Sequence, residues 1–339
     1  MINKIVLIVL LISTSCISSM EKEQESEIQI LSRKIAKTPE DIDLLYSRVN
    51  YNKSKKNLES ALFDLKEIVR LDSLSTIHHH NIAEVYFELA KSKQPDPRYV
   101  ELVRHHLERS INIDAQNKDA LALMGELLLA YNKYEEAIES FNASLRIEYN
   151  QANTHMLMGY AFKQLKRDDN AIDCFRNSVN IDPSFLEAHI QLGQIFHMSG
   201  DTTALVYYNN ALRLDPTNEI VLYNKALFYQ NVSEWNNALD AYSVLHKANP
   251  FHSSGHYNLG FIHMELGLYD VATNNFSDAI YSDSEFYEAY YSRGSCFETL
   301  GNIAQAESDY KRAISINPGY IYAIEALESL IDKNKKYNK

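Results

Sequence analysis

LALMGELLLAYNKYEEAIESFNASLRI, from Leu121 to Ile147, is the stretch on which the fold turns. Apolar residues recur at helical spacing, so Leu121–Leu129 and Tyr134–Ile147 read as two amphipathic helices joined by a tight turn. The pattern returns every 34 residues from about Asp41 to Pro318. When Gly125, Gly159, Gly193, Gly260 and Gly294 are aligned, Ala137, Ala171, Ala204, Ala238, Ala272 and Ala306 fall eleven or twelve places behind each unit's glycine position. Four places further stand Phe141, Phe175, Asn209 or Tyr208, Tyr242, Phe276 and Tyr310, and Pro183, Pro216, Pro250 and Pro318 close their units. Small residues on both sides of a crossing, such as Gly159 facing Ala171, let the helices approach. The aromatic one turn later is then expected to fill the space between neighbouring units. A fixed period of this length predicts an all-α stack of small modules.

These columns resemble the tetratricopeptide repeat. With the glycine as position 8 and the alanine as position 20, eight repeats begin near Ile42, Thr76, Lys118, Ala152, Leu186, Glu219, Ser253 and Tyr287. The resemblance covers roughly four-fifths of the chain and implies a right-handed α-solenoid whose first helices line a concave groove. Ala226 replaces the glycine of the sixth repeat. The first repeat carries Val49 there and keeps Ala61, which predicts looser packing. The second carries Ala83 and Val103 and is longer by eight residues, matching Lys91 to Arg98; the fifth is one residue short between Gly200 and Ala204. Residues 27–39 read as an N-terminal capping helix, 40–318 as the repeats, and 319–339 as a C-terminal capping helix with a polar tail. Caps are what a stack needs, because a terminal module otherwise exposes an apolar face.

Residues 1–15 read as a secretory leader. Lys4 precedes the apolar run Ile5 to Ile12, too short to span a bilayer, and Ser13, Thr14 and Ser15 lead to Cys16. Cys16 at such a cut resembles the lipobox of bacterial lipoproteins, which implies acylation of that cysteine and a membrane anchor. Ser13 departs from the usual leucine, and an ordinary secreted chain with an incidental cysteine is the alternative. Residues 16–26 form an acidic tether. Inner membrane, outer membrane and outer surface stay open as destinations.

The chain has 45% hydrophobic residues, ten glycines and seven prolines, enough for a continuous core. Its formal charge of -12 would repel phosphate backbones, so nucleic acid is not an expected partner. Cys174 and Cys296 lie in the fourth and eighth repeats, too far apart in a stack to form a disulfide, and read as free thiols. His79, His155, His189 and His256 share position 4 and read as packing residues with a polar edge. His78, His79 and His80 are consecutive and point about 100° apart on a helix, so they cannot ligate one ion together. No metal site, cofactor or small-molecule substrate is expected, and no phosphate loop, H-E-x-x-H or G-x-S-x-G motif suggests catalysis.

The resemblance assigns the groove to positions 2, 5, 6, 9, 12 and 13. In repeats six to eight, position 5 is Tyr223, Tyr257 and Tyr291, position 6 includes Asn224 and Asn258, and position 9 includes Leu227 and Phe261. Amides can pair with the main chain of an extended peptide while aromatic faces hold its side chains. No lysine occupies position 5, so the family's basic clamp for chaperone C-termini is absent. The sequence thus predicts an exported, lipid-anchored, non-enzymatic scaffold of the bacterial envelope that binds protein or peptide partners in the groove. An enzyme or metal-binding protein built on the groove, or a cytoplasmic scaffold with an uncleaved N-terminus, are the alternatives.

Overall fold

The computed structural model describes residues 26–92, 96 and 98–337; the expected leader, Cys16 and all but the last residue of the expected tether lie outside them. All regular structure among the described residues is helical. Two compact units divide between Lys166 and Arg167. The first holds α1 (Glu27–Ile35), α2 (Ile42–Ser54), α3 (Leu58–Leu71), α4 (Thr76–Ala90), α5 (Arg98–Ile113), α6 (Lys118–Ala130), α7 (Tyr134–Ile147) and α8 (Ala152–Gln164). The second holds α9 (Asp168–Ile181), α10 (Leu186–Met198), α11 (Thr203–Leu214), α12 (Glu219–Asn231), α13 (Trp235–Ala248), α14 (Ser253–Glu265), α15 (Tyr269–Ser282), α16 (Tyr287–Thr299), α17 (Ile303–Ile316) and α18 (Ile321–Tyr337). In chain order this is a run of helices in successive pairs flanked by the single helices α1 and α18, an all-α repeat array with α8 and α9 on either side of the division.

Within each unit a helix packs chiefly on its chain neighbours. In the first, α2 pairs with α3, α4 with α5 and α6 with α7, while α1 lies against α2 and α8 against α7. In the second, α10 pairs with α11, α12 with α13, α14 with α15 and α16 with α17, while α9 lies against α10 and α18 against α17. Local chemistry starts and stops these helices. Asp41, Asn57, Asn117 and Asn218 accept backbone N–H groups of the first turns of α2, α3, α6 and α12. The turn after a first helix puts one residue in the left-handed region, always at the same place in the repeat: Lys56, Asn132, Lys166, Gly200, Ser233, Gly267 and Gly301. That conformation terminates the helix by satisfying its last carbonyls.

The packing columns explain the period. A Cβ added at Gly193 would lie 2.5 Å from the Tyr208 ring, and one added at Gly125 would lie 2.5 Å from Phe141. Phe276 and Tyr310 cover Gly260 and Gly294 in the same way. The aromatic seats on the glycine of its own repeat and also reaches the next one, where Tyr208 clusters with Val221 and Phe228, Tyr242 with Ile262, and Phe276 with Cys296. The seat on Gly193 settles the fifth repeat, where Tyr208 and not Asn209 holds the column. Burying such a ring contributes about 2–3 kcal/mol.

The first repeat is not loose. Val49 is 2% exposed and Leu65, at the aromatic position, is wholly buried. A larger side chain on one helix meets a smaller one on the other, so total volume is kept. The second repeat does the same with Ala83 and Leu107, both fully buried. Its eight-residue extension falls between α4 and α5, and only part of it is among the described residues.

The position-4 histidines share one device. Nε2 of His79, His155, His189 and His256 lies 3.1, 3.1, 3.0 and 2.9 Å from the carbonyls of Ser73, Tyr149, Pro183 and Pro250, each six residues upstream. With Nε2–H as donor, each imidazole ties its first helix to the loop that precedes it.

Candidate functional site

Tyr223, Tyr257 and Tyr291 stand at the same place on α12, α14 and α16, the first helices of the last three repeats, and each is half-buried. α14 lies beside α16 and α16 beside α18. Each tyrosine pairs with a ring 29 residues later in the chain. Tyr223 stacks on His252 at 5.1 Å, Tyr257 meets Phe286 at 5.0 Å, and Tyr291 meets Tyr320 edge-on at 5.5 Å. His252 and Phe286 each immediately precede a first helix and Tyr320 immediately precedes the cap α18, so one loop residue after each of the last three repeats presents its ring to that repeat's tyrosine. Tyr287 and Tyr322 extend the last pair, with Tyr320 centroids at 4.8 and 5.5 Å. Sequence columns confined to the first helix missed these partners. The signal was present as an aromatic column at the loop's final residue.

The two asparagines differ. Asn258 is buried, and its Nδ2 donates to the Tyr223 hydroxyl at 3.2 Å and to the Tyr242 hydroxyl at 2.8 Å. Tyr242 in turn donates to Gln230 Oε1 at 2.9 Å. Asn258 thus holds Tyr223 in place from behind, and its N–H groups are already used within the fold. Asn224 is half-buried, and among the described residues no side chain bonds it. Leu227 and Phe261 are half-buried on the same helices. The Tyr257 hydroxyl lies 3.4 Å from Ser292 Oγ on α16, bridging successive first helices.

Other reactive residues are occupied structurally. Burial pushes the Cys174 thiol up to about 12 and the Cys296 thiol up to about 11, so both free cysteines stay protonated inside the fold. Nδ1 of His79 and Nδ1 of His106 are 2.9 Å apart and share one hydrogen bond. Burial, with repulsion from His79 and His105, lowers His106 to about 4, so it is neutral near pH 7. Among the described residues no group of three or more histidine, cysteine, aspartate or glutamate side chains could hold a metal ion. None of the described helices is long and apolar enough to cross a membrane.

Two family models described as "Tetratricopeptide repeat" match residues 152–185 and 287–320, the fourth and eighth repeats. A solved structure reported in a functional characterization of Pseudomonas aeruginosa pilF is similar over 62% of this chain and 92% of its own, at 16% identity and a TM-score of 0.53. A tetratricopeptide repeat protein from Parabacteroides merdae ATCC 43184 is similar over 75% of this chain and 98% of its own, at 13% identity and a TM-score of 0.50. YrrB, described as a tetratricopeptide repeat protein with an unusual peptide-binding site, is similar over 56% of this chain and 99% of its own, at 18% identity and a TM-score of 0.48. No curated protein sequence matches the chain. The helix pairs, their glycine-aromatic columns and the matched repeats define a tetratricopeptide repeat protein. Proteins of this class generally mediate protein–protein interactions.

Proposed function

We propose that this protein is a non-enzymatic scaffold that takes an extended peptide segment of a partner protein on the first-helix face of α12, α14 and α16. The observation that carries this reading is the set of three aromatic pairs at one place in successive repeats, beside the unbonded amide of Asn224. Half-buried rings backed by packed neighbours lose little side-chain freedom on binding, which is the property of interface anchors. Tyr223, Tyr257 and Tyr291 supply apolar contact, Leu227 and Phe261 widen the surface, Asn224 reads main chain, and Asn258 positions Tyr223. A photo-crosslinking phenylalanine analogue at Phe261 should capture a partner in cells, whereas the same analogue at Met198, 84% exposed at the end of α10, should not. Capture from Met198 and none from Phe261 would move the site elsewhere.

The scaffold acts at a bacterial envelope, tethered through Cys16. The apolar run Ile5 to Ile12 and the small residues ahead of Cys16 support this part of the reading. Two acyl chains hold a protein to a bilayer where one gives only reversible binding. Cys16→Ala should therefore shift the protein from the membrane to the soluble fraction and abolish labelling by a radioactive fatty acid. Persistent membrane association of the unlabelled variant would overturn the anchor.

A further inference from the structure

We infer that the N-terminal unit carries a second binding site, which takes the ring of a tyrosine from a partner protein. An open cleft of about 340 Å³ lies between α1, α2 and α3, lined by Ile28 and Ser32, Arg48 and Asn52, and Phe63 and Asp64. That volume falls in the range of ligand clefts. Asn52 is 5% exposed, and among the described residues nothing bonds its side chain. Its amide is not sealed inside the core but opens into the cleft. A buried amide with no protein partner is an exception that a hydrogen-bonding ligand resolves.

Other repeats show what fills this place. Asn52 stands at position 11 of the first repeat, where Tyr86, Phe162, Phe196, Tyr229 and Phe297 stand in five of the other seven. The eighth repeat is the same site with its ring present. There Arg293, Asp309 and Ser277 form the clamp that Arg48, Asp64 and Ser32 form in the first. Arg293 is four residues ahead of Phe297 and 5.9 Å from its ring centroid, and Arg48 is four residues ahead of Asn52. A cation also reaches this ring in the second and fifth repeats, with Lys66 5.9 Å from Tyr86 and Arg176 5.6 Å from Phe196. The first repeat keeps the frame and lacks the ring.

The chemistry of the cleft selects the ligand. Arg48 and Asp64 neutralise each other, so the entering group is uncharged. A ring placed where Phe297 lies in the eighth repeat gains a cation–π contact with Arg48 and meets Phe63, which is 71% exposed. A phenylalanine ring would leave Asn52 without a partner, whereas a tyrosine hydroxyl can bond it. The same pairing occurs within the fold, where Asn258 Nδ2 donates to the Tyr242 hydroxyl at 2.8 Å and Asn81 Nδ2 to the Tyr46 hydroxyl at 3.0 Å. Proteins of this class generally mediate protein–protein interactions, so the phenol is a side chain of a partner protein.

The test is an NMR titration of the purified full chain, isotope-labelled at asparagine, read at the Asn52 side-chain amide and by saturation transfer to the probe. N-acetyl-tyrosinamide should shift the Asn52 signals with a Kd on the order of 1 mM, the scale of a single side chain. N-acetyl-phenylalaninamide should bind about tenfold more weakly, because it leaves the amide unpaired. Asn52→Phe supplies the missing ring, so it should raise the melting temperature and abolish binding of both probes. Asn52→Ala keeps the cleft open without the amide and should remove the preference for tyrosine. No shift at Asn52, equal binding of the two probes to the wild type, or binding retained in Asn52→Phe would each overturn the proposal. So would a lower melting temperature in Asn52→Phe, which would show that no ring belongs in the cleft. Self-association of the wild type that Asn52→Phe abolishes would put a second copy's tyrosine there and overturn the assignment to a partner protein.

Discussion

Arg48→Ala should destabilise the N-terminal unit by about 3 kcal/mol, the scale expected when one partner of a buried ion pair is removed. Arg48 Nε donates to Asp64 Oδ2 at 2.8 Å and Nη2 to Oδ1 at 2.6 Å, with the Asp64 side chain only 1% exposed. Nη1 reaches Ser32 Oγ on α1 at 3.3 Å, so the same guanidinium joins α2, α3 and the cap. Alanine leaves a carboxylate in the core with neither counter-ion nor bidentate donors. The full chain's unfolding in urea should show the loss, and hydrogen exchange should localise it to α1, α2 and α3, because a repeat contacts only its neighbours. Arg48→Met with Asp64→Leu should recover most of the stability, since apolar groups of similar volume replace a buried pair at little cost. Unchanged stability in Arg48→Ala would show that Asp64 does not depend on this partner. The clamp recurs in the eighth repeat, where Arg293 holds Asp309 at 2.8 Å through two nitrogens and reaches Ser277 Oγ at 2.9 Å.

Tyr257→Ala with Tyr291→Ala should weaken peptide binding by about 4 kcal/mol, taking each as an anchor worth about 2 kcal/mol. That is roughly a thousandfold in Kd. The two rings are half-buried between Phe276 and Phe286 on one side and Tyr310, Tyr320 and Tyr322 on the other, so their removal empties adjacent steps of the ladder. Melting curves of each variant separate lost binding from lost packing. The asparagines provide an internal contrast. Asn224→Ala should weaken binding with little change in stability. Asn258→Ala should lower stability by about 1–2 kcal/mol, because its loss strips a buried hydrogen bond from both Tyr223 and Tyr242.

The repeat was legible because its columns are physical necessities of each module. The first helices begin at Ile42, Thr76, Lys118, Ala152, Leu186, Glu219, Ser253 and Tyr287, where the glycine-alanine spacing puts them. Spacing alone did not reveal what each glycine faces, because a period locates a column along the chain without orienting it. The ring over Gly193 belongs to Tyr208, at a position where a one-residue deletion left two candidates. Arg48–Asp64 was hidden for a different reason. It depends on two polar residues sixteen apart that recur only in the first and last repeats, so no column marks them.

The candidate surface was half legible. Helical position indicated Tyr223, Tyr257 and Tyr291, but their ring partners lie in loops, where helical periodicity carries no information. Asn258 looked equivalent to Asn224 in sequence. Tyr242, sixteen residues earlier on the second helix of the preceding repeat, turns it inward.

The most direct test is the affinity of one peptide, selected on the intact protein, for the wild type and for Tyr257→Ala with Tyr291→Ala, each shown to be folded by its melting curve. A Kd raised roughly a thousandfold is the predicted result. An unchanged Kd in the folded double variant would contradict the assignment of binding to the first-helix face of the last three repeats.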